Sequence, residues 1–70
     1  MKEIVFTYPN TANLETESMA LSTLGFITKA SLNENKISVL ASIGHRLEDV
    51  FTEEVIVRFH KVGVNVEITK

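Results

Sequence analysis

The stretch KISVLASIGHRLEDVFTEEVIVRFHKVGVNVEITK, residues 36–70, changes its hydrophobic period twice, and those changes decide the fold. It opens with KISVLASIG, in which Ile37, Val39, Ala41 and Ile43 fall on one side of an alternating run. That pattern suits a strand with one face in a core. From Val50 to Val62 the period becomes helical, with Val55, Ile56, Phe59 and Val62 on one face. Glu53 and Glu54 occupy the first turn, and Arg58, His60 and Lys61 the last, which complements the helix dipole. Gly63 ends the helix, and VNVEIT returns to alternation with Val64, Val66 and Ile68 on one side.

Upstream the same signals repeat. EIVFTYP alternates Ile4, Phe6 and Tyr8 against Glu3, Val5 and Thr7, and the sole proline, Pro9, ends it. TANLETESMALSTLG then places Leu14, Leu21 and Leu24 on one helix face, interrupted by Glu17 and Ser18. Asn13 or Thr11 is suited to cap its start and Gly25 to sit just past its end. FITKASL alternates again, with Phe26, Thr28, Ala30 and Leu32 on one side and Ile27, Lys29 and Ser31 on the other. The turn NEN (33–35) joins it to the strand at Lys36 as an antiparallel hairpin. The order β-α-β-β-α-β predicts an α+β, ferredoxin-like sandwich, with a four-stranded antiparallel sheet and two helices on one face. Right-handed crossovers put the first and third strands at the centre. The opposite sheet face then carries Val5, Ile27 and Leu40 among polar residues, a surface suited to dimer contacts.

Composition narrows the function classes. Seventy residues without cysteine form one domain with no disulfide or thiolate metal site to hold it, so self-association is an economical route to stability. The net charge of −2, with no basic cluster, argues against nucleic acid. No apolar run is long enough for a bilayer, and the first residues lack a signal-peptide pattern, so a cytoplasmic domain with no membrane role is expected.

Residues 36–70 also resemble half of an ACT domain, in particular the C-terminal regulatory ACT region of aspartokinases. The matching features are the strand Ile37–Gly44, the loop His45–Asp49, the helix, and the run Gly63-Val64-Asn65-Val66-Glu67. EIVFTYP resembles another strand of that family, so the likeness covers nearly the whole chain. Relative to the family the halves are permuted, and they are expected to close on each other because the fold is pseudo-symmetric. The alternative is a piece that completes its sheet with a partner chain. Where aspartokinases carry proline-glycine at the helix start, this chain has Val50, Phe51, Thr52 and Glu53.

The resemblance implies a non-catalytic regulatory domain that dimerises and senses a small amino acid such as lysine or threonine, without a cofactor. It implies a ligand lined by Ser42, Ile43, Gly44, His45, Arg46, Leu47 and Asp49 on one side and by Val64 and Asn65 on the other. A strand-to-helix junction suits an amino-acid carboxylate because free N–H groups and the positive helix end meet there. The replaced proline-glycine favours the alternative, an ACT-like dimerisation or interaction module without ligand. His45 and Arg46 beside Glu48 and Asp49 lack metal-ligand spacing and read as a surface charge cluster. No serine is paired with a recognisable base, so catalysis on this chain is not expected.

Overall fold

The computed structural model describes residues 2–10, 14–41, 44 and 46–69. Eight short elements follow one another: β1 (Glu3–Thr7), α1 (Leu14–Thr23), β2 (Ile27–Ser31), a single 3-10 turn (Leu32–Glu34), β3 (Lys36–Leu40), α2 (Leu47–Val50), α3 (Glu53–Lys61) and β4 (Asn65–Thr69). The strands form one antiparallel sheet in the order β2-β3-β1-β4, with the first and third strands at the centre.

The alternation in β1 and β3 becomes a buried layer because each pairs on both sides. Ile4 lies opposite Val39 and Phe6 opposite Ile37, and all four side chains are fully buried. The edge strands are drier on only one end. β2 is anchored by buried Phe26 just before it, and β4 by buried Val64 just before it. Leu14 and Leu21 of α1, Leu47 of α2 and Phe51 close the core from the helical side.

Four aromatic rings knit this core. Phe6 lies 4.7 Å from Phe59 and 5.4 Å from Phe51, and Phe51 lies 5.7 Å from Phe26, all at tilted angles. Tilted contacts at such distances suit the ring quadrupoles. These are all the phenylalanines of the chain.

The predicted continuous helix from Val50 to Val62 is instead two helices. α2 occupies Leu47–Val50, its first three residues in the expected loop His45–Asp49, and α3 starts at Glu53. Phe51 causes the break. Its N–H donates to the Leu47 carbonyl at 2.8 Å, and its backbone then leaves the helical region at φ −97° and ψ 74° so that the ring reaches the core. Thr52 restarts the helix, its hydroxyl accepting from the Val55 N–H at 3.4 Å.

The end of α3 explains HKVGV. Val64 N–H donates to the Phe59 carbonyl at 3.0 Å and Gly63 N–H to the His60 carbonyl at 3.1 Å, the paired bonds of a Schellman motif. Gly63 sits at φ +85°, where a side chain would be strained. The motif folds buried Val64 back beneath Phe59, and the chain enters β4.

Four expected core positions are exposed, one of them Ile68, 41% exposed on edge strand β4. Val62 is 69% exposed because it follows the last helical turn, and Leu24 is 52% exposed for the same reason at the end of α1. Ala41 is exposed because β3 stops at Leu40. The polar gap in α1 also has a cause. Ser18 and Ser22 lie one turn apart and both hydrogen-bond Thr28 of edge strand β2. A threonine on the helix-facing side of β2 is thus met by serines rather than leucines. The proposed caps Thr11 and Asn13 lie outside the described residues.

Phe51→Ala is expected to cost about 3–5 kcal/mol, since it empties the centre of the ring cluster. Val62→Ser is expected to change stability by less than about 0.5 kcal/mol, as an exposed position should. Urea unfolding of the two variants checks this contrast. Equal losses would show that α3 packs through Val62 after all.

Candidate functional site

The strand-to-helix junction after β3 was the most site-like stretch of the sequence. Gly44 occupies the left-handed region at φ +84°, is exposed, and has no heavy atom within 4 Å of where a Cβ would stand. Arg46 precedes α2, and its Nη2 lies 3.3 Å from Glu48 Oε2. A hydrogen bond from its own backbone N–H, helped by the Arg46 guanidinium, holds the Glu48 carboxyl below its ordinary range. Asp49 is exposed, and its N–H closes the turn on the Arg46 carbonyl at 3.2 Å. Leu47, in contrast, is fully buried and belongs to the core. Ser42, Ile43 and His45 lie outside the described residues.

The second group of expected ligand residues stands elsewhere. Asn65 pairs with Thr7, while the junction leaves the sheet next to Leu40, which pairs with Glu3. Glu3 and Thr7 are opposite ends of β1, so one chain holds the two groups about 14 Å apart along the strand direction. Asn65 is exposed on edge strand β4, on the side away from the helices, because its neighbours Val64 and Val66 take the core side. Val64 is buried, 4% exposed, and its side chain is spent on packing. Gly44, Arg46 and Asp49 therefore share one end of the molecule and Asn65 marks the other.

The structure adds a feature the sequence did not single out. Tyr8, Pro9, Asn10, Glu17, Val62 and Val64 line a recess of about 210 Å³ where β1 passes between α1 and the end of α3. The Tyr8 hydroxyl is shielded from solvent and has no hydrogen-bond partner among the described residues. Burial pushes its pKa up to about 12, and the carboxylate of Glu17 adds to the effect. Nothing in EIVFTYP foretells this, because the shielding of the hydroxyl and the nearby Glu17 carboxylate come from the tertiary packing. Among the described residues, no group of three or more histidines, cysteines and acids is arranged to hold a metal ion. No helix among them is long and apolar enough to cross a membrane.

Tyr8 is the only tyrosine, so phenolate absorbance reports it alone. Its folded pKa of about 12 exceeds the ordinary value of 10.0. The neutral phenol is therefore favoured by folding, and its contribution is present below pH 10 and is lost as pH rises toward 12. An alkaline titration in buffer should turn at the higher value and one in denaturant at the lower. Tyr8→Phe should remove this alkaline loss and, because the hydroxyl is unpaired, leave neutral-pH stability within about 1 kcal/mol. Coincident titrations in the two solvents would contradict the buried hydroxyl.

The chain matches no protein-family model, and neither the curated proteins nor the solved structures include one that it matches significantly.

Proposed function

We propose that this chain is a non-catalytic regulatory domain of ferredoxin-like, ACT-like type that works as a homodimer and senses a small amino acid. The observation that carries this reading is the sheet order β2-β3-β1-β4, with helices over one face and the other face open. It is compatible with a ferredoxin-like sandwich and with the permuted closure of two ACT half-repeats. The likeness of Gly63-Val64-Asn65-Val66-Glu67 to the family's strand after the helix supports the sensor role. Since Gly44, Arg46 and Asp49 stand at one end of a chain and Asn65 at the other, the ligand in this reading is held where two copies meet. Lysine or threonine is the effector class by analogy with aspartokinases, and a cytoplasmic location goes with it. Binding changes the dimer only to the extent that the two dimer packings differ in affinity for the ligand.

A second reading is supported by Phe51. It stands where aspartokinases carry the ligand-adjacent glycine, and its ring fills the core. In that reading the ACT-like unit has become a ligand-free dimerisation or interaction module.

Calorimetry with each of the twenty amino acids, on protein confirmed to be oligomeric, separates the two. The sensor reading expects saturable heat with lysine or threonine, weakened about tenfold by Asn65→Ala at unchanged Tm. The absence of heat with all twenty would sink the sensor and leave the ligand-free module.

A further inference from the structure

The strand pairings define which side chains share the open face of the sheet. Three rows cross it. One runs Lys29, Ser38, Val5, Glu67 from β2 to β4. The next runs Ser31, Lys36, Thr7, Asn65, and the last Ile27, Leu40, Glu3, Thr69. Charge is segregated across these rows. Lys29 and Lys36 lie on the β2–β3 half, Glu3 and Glu67 on the β1–β4 half, and the other eight residues are uncharged. Lys36 has Glu34 at 3.7 Å, whereas Lys29, Glu3 and Glu67 have no ion-pair partner among the described residues. Ile27 and Leu40 on this face are 56% and 38% exposed.

We propose that this face is the surface through which two copies of the chain associate, related by a twofold axis parallel to the strands, with Lys29 of each copy against Glu67 of the other. The proposal rests on the homodimeric reading above, but the axis keeps Asn65 of each copy over Ser31, so this interface and the ligand seat of that reading are separate surfaces. Two sheets packed face to face lie about 10 Å apart, a gap that a lysine and a glutamate side chain span together. Two in-plane twofold axes are available to such a pair. An axis across the strands sets β1 over β1 and β4 over β4, so Glu67 meets Glu67 and Lys29 meets Lys29. An axis along the strands sets β2 over β4 and β3 over β1, so each basic half covers an acidic half. Charge complementarity selects the second. It also sets Ser38 over Val5 and Ser31 over Asn65, which leaves no charge facing its like.

Lys29 and Glu67 occupy the two outer strands of one sheet, roughly 14 Å apart at about 4.8 Å per strand spacing, so they do not pair within a chain. Four five-residue strands cover roughly 17 by 19 Å, well under the ~800 Å² per partner of stable complexes, which makes the dimer weak and salt-sensitive.

The test is a reciprocal charge reversal read by sedimentation equilibrium at low salt, with circular dichroism confirming that each variant is folded. Lys29→Glu and Glu67→Lys each put two like-charged pairs into the dimer and should each weaken it about tenfold. An equimolar mixture of the two variants should dimerise again, because every pair across the axis is then opposite in charge. The double variant should dimerise like the original chain. Pairing of β2 with β4 edge to edge also brings Lys29 near Glu67, but it is open-ended and yields higher oligomers rather than a closed dimer. A dimer untouched by the single reversals, or a mixture that stays monomeric, overturns this interface while leaving the homodimeric reading standing. A chain monomeric at high micromolar concentration overturns both.

Discussion

Phe6 makes the contact on which the remaining structure rests. Its ring touches Phe51 and Phe59, and Phe51 in turn touches Phe26, so four residues drawn from across the sequence meet in one cluster. A chain of 70 residues buries few large side chains, and among the described residues the core comprises ten with four more packed against it. Burying an aromatic ring contributes about 1.5–3 kcal/mol relative to leaving it exposed, so the cluster outweighs the weak local preferences around it. That is why Phe51 can interrupt a helix that the surrounding sequence would otherwise continue.

The interruption shapes the candidate site. With Phe51 turned inward, α2 becomes a single turn and α3 begins afresh at a threonine cap. Phe51 is thus a fixed part of the core. Arg46 and Glu48 at the opening of α2 satisfy each other. What stays open is Gly44 and Asp49 at one end of the sheet and Asn65 at the other. In the proposed reading, a site joining them requires a second copy. The open sheet face, with its divided charges, is a separate surface, because an axis along the strands leaves Asn65 of each copy over Ser31 and away from Gly44.

The expected elements survive where one physical signal is strong. The strict alternation of β1 and β3 predicted Ile4, Phe6, Ile37 and Val39 as an inner row, and each is fully buried. Gly63 as a helix terminator was legible because the left-handed turn it adopts is costly for other residues. Errors fall at the ends of elements, where periodicity continues past the structure it reflects. Val62 and Leu24 keep helical spacing with core residues but lie beyond the last turn that faces the sheet. Ser18 interrupts the apolar stripe of α1 because it, like Ser22, is a partner of Thr28.

The sequence by itself determined the class of fold, the number and order of strands, the helix-ending glycines and the residues of the open sheet face, because these follow from local periodicity and backbone preference. Tertiary structure alone decided that α2 and α3 are separate, since the pull on Phe51 comes from Phe6 and Phe26, distant in sequence. It alone decided that Tyr8 has a raised pKa, because α1 brings Glu17 near a ring already shielded from water. It also decided that Asn65 stands a full strand length from the junction it was expected to face, because the antiparallel register carries the chain to the other end of the sheet before β4 begins.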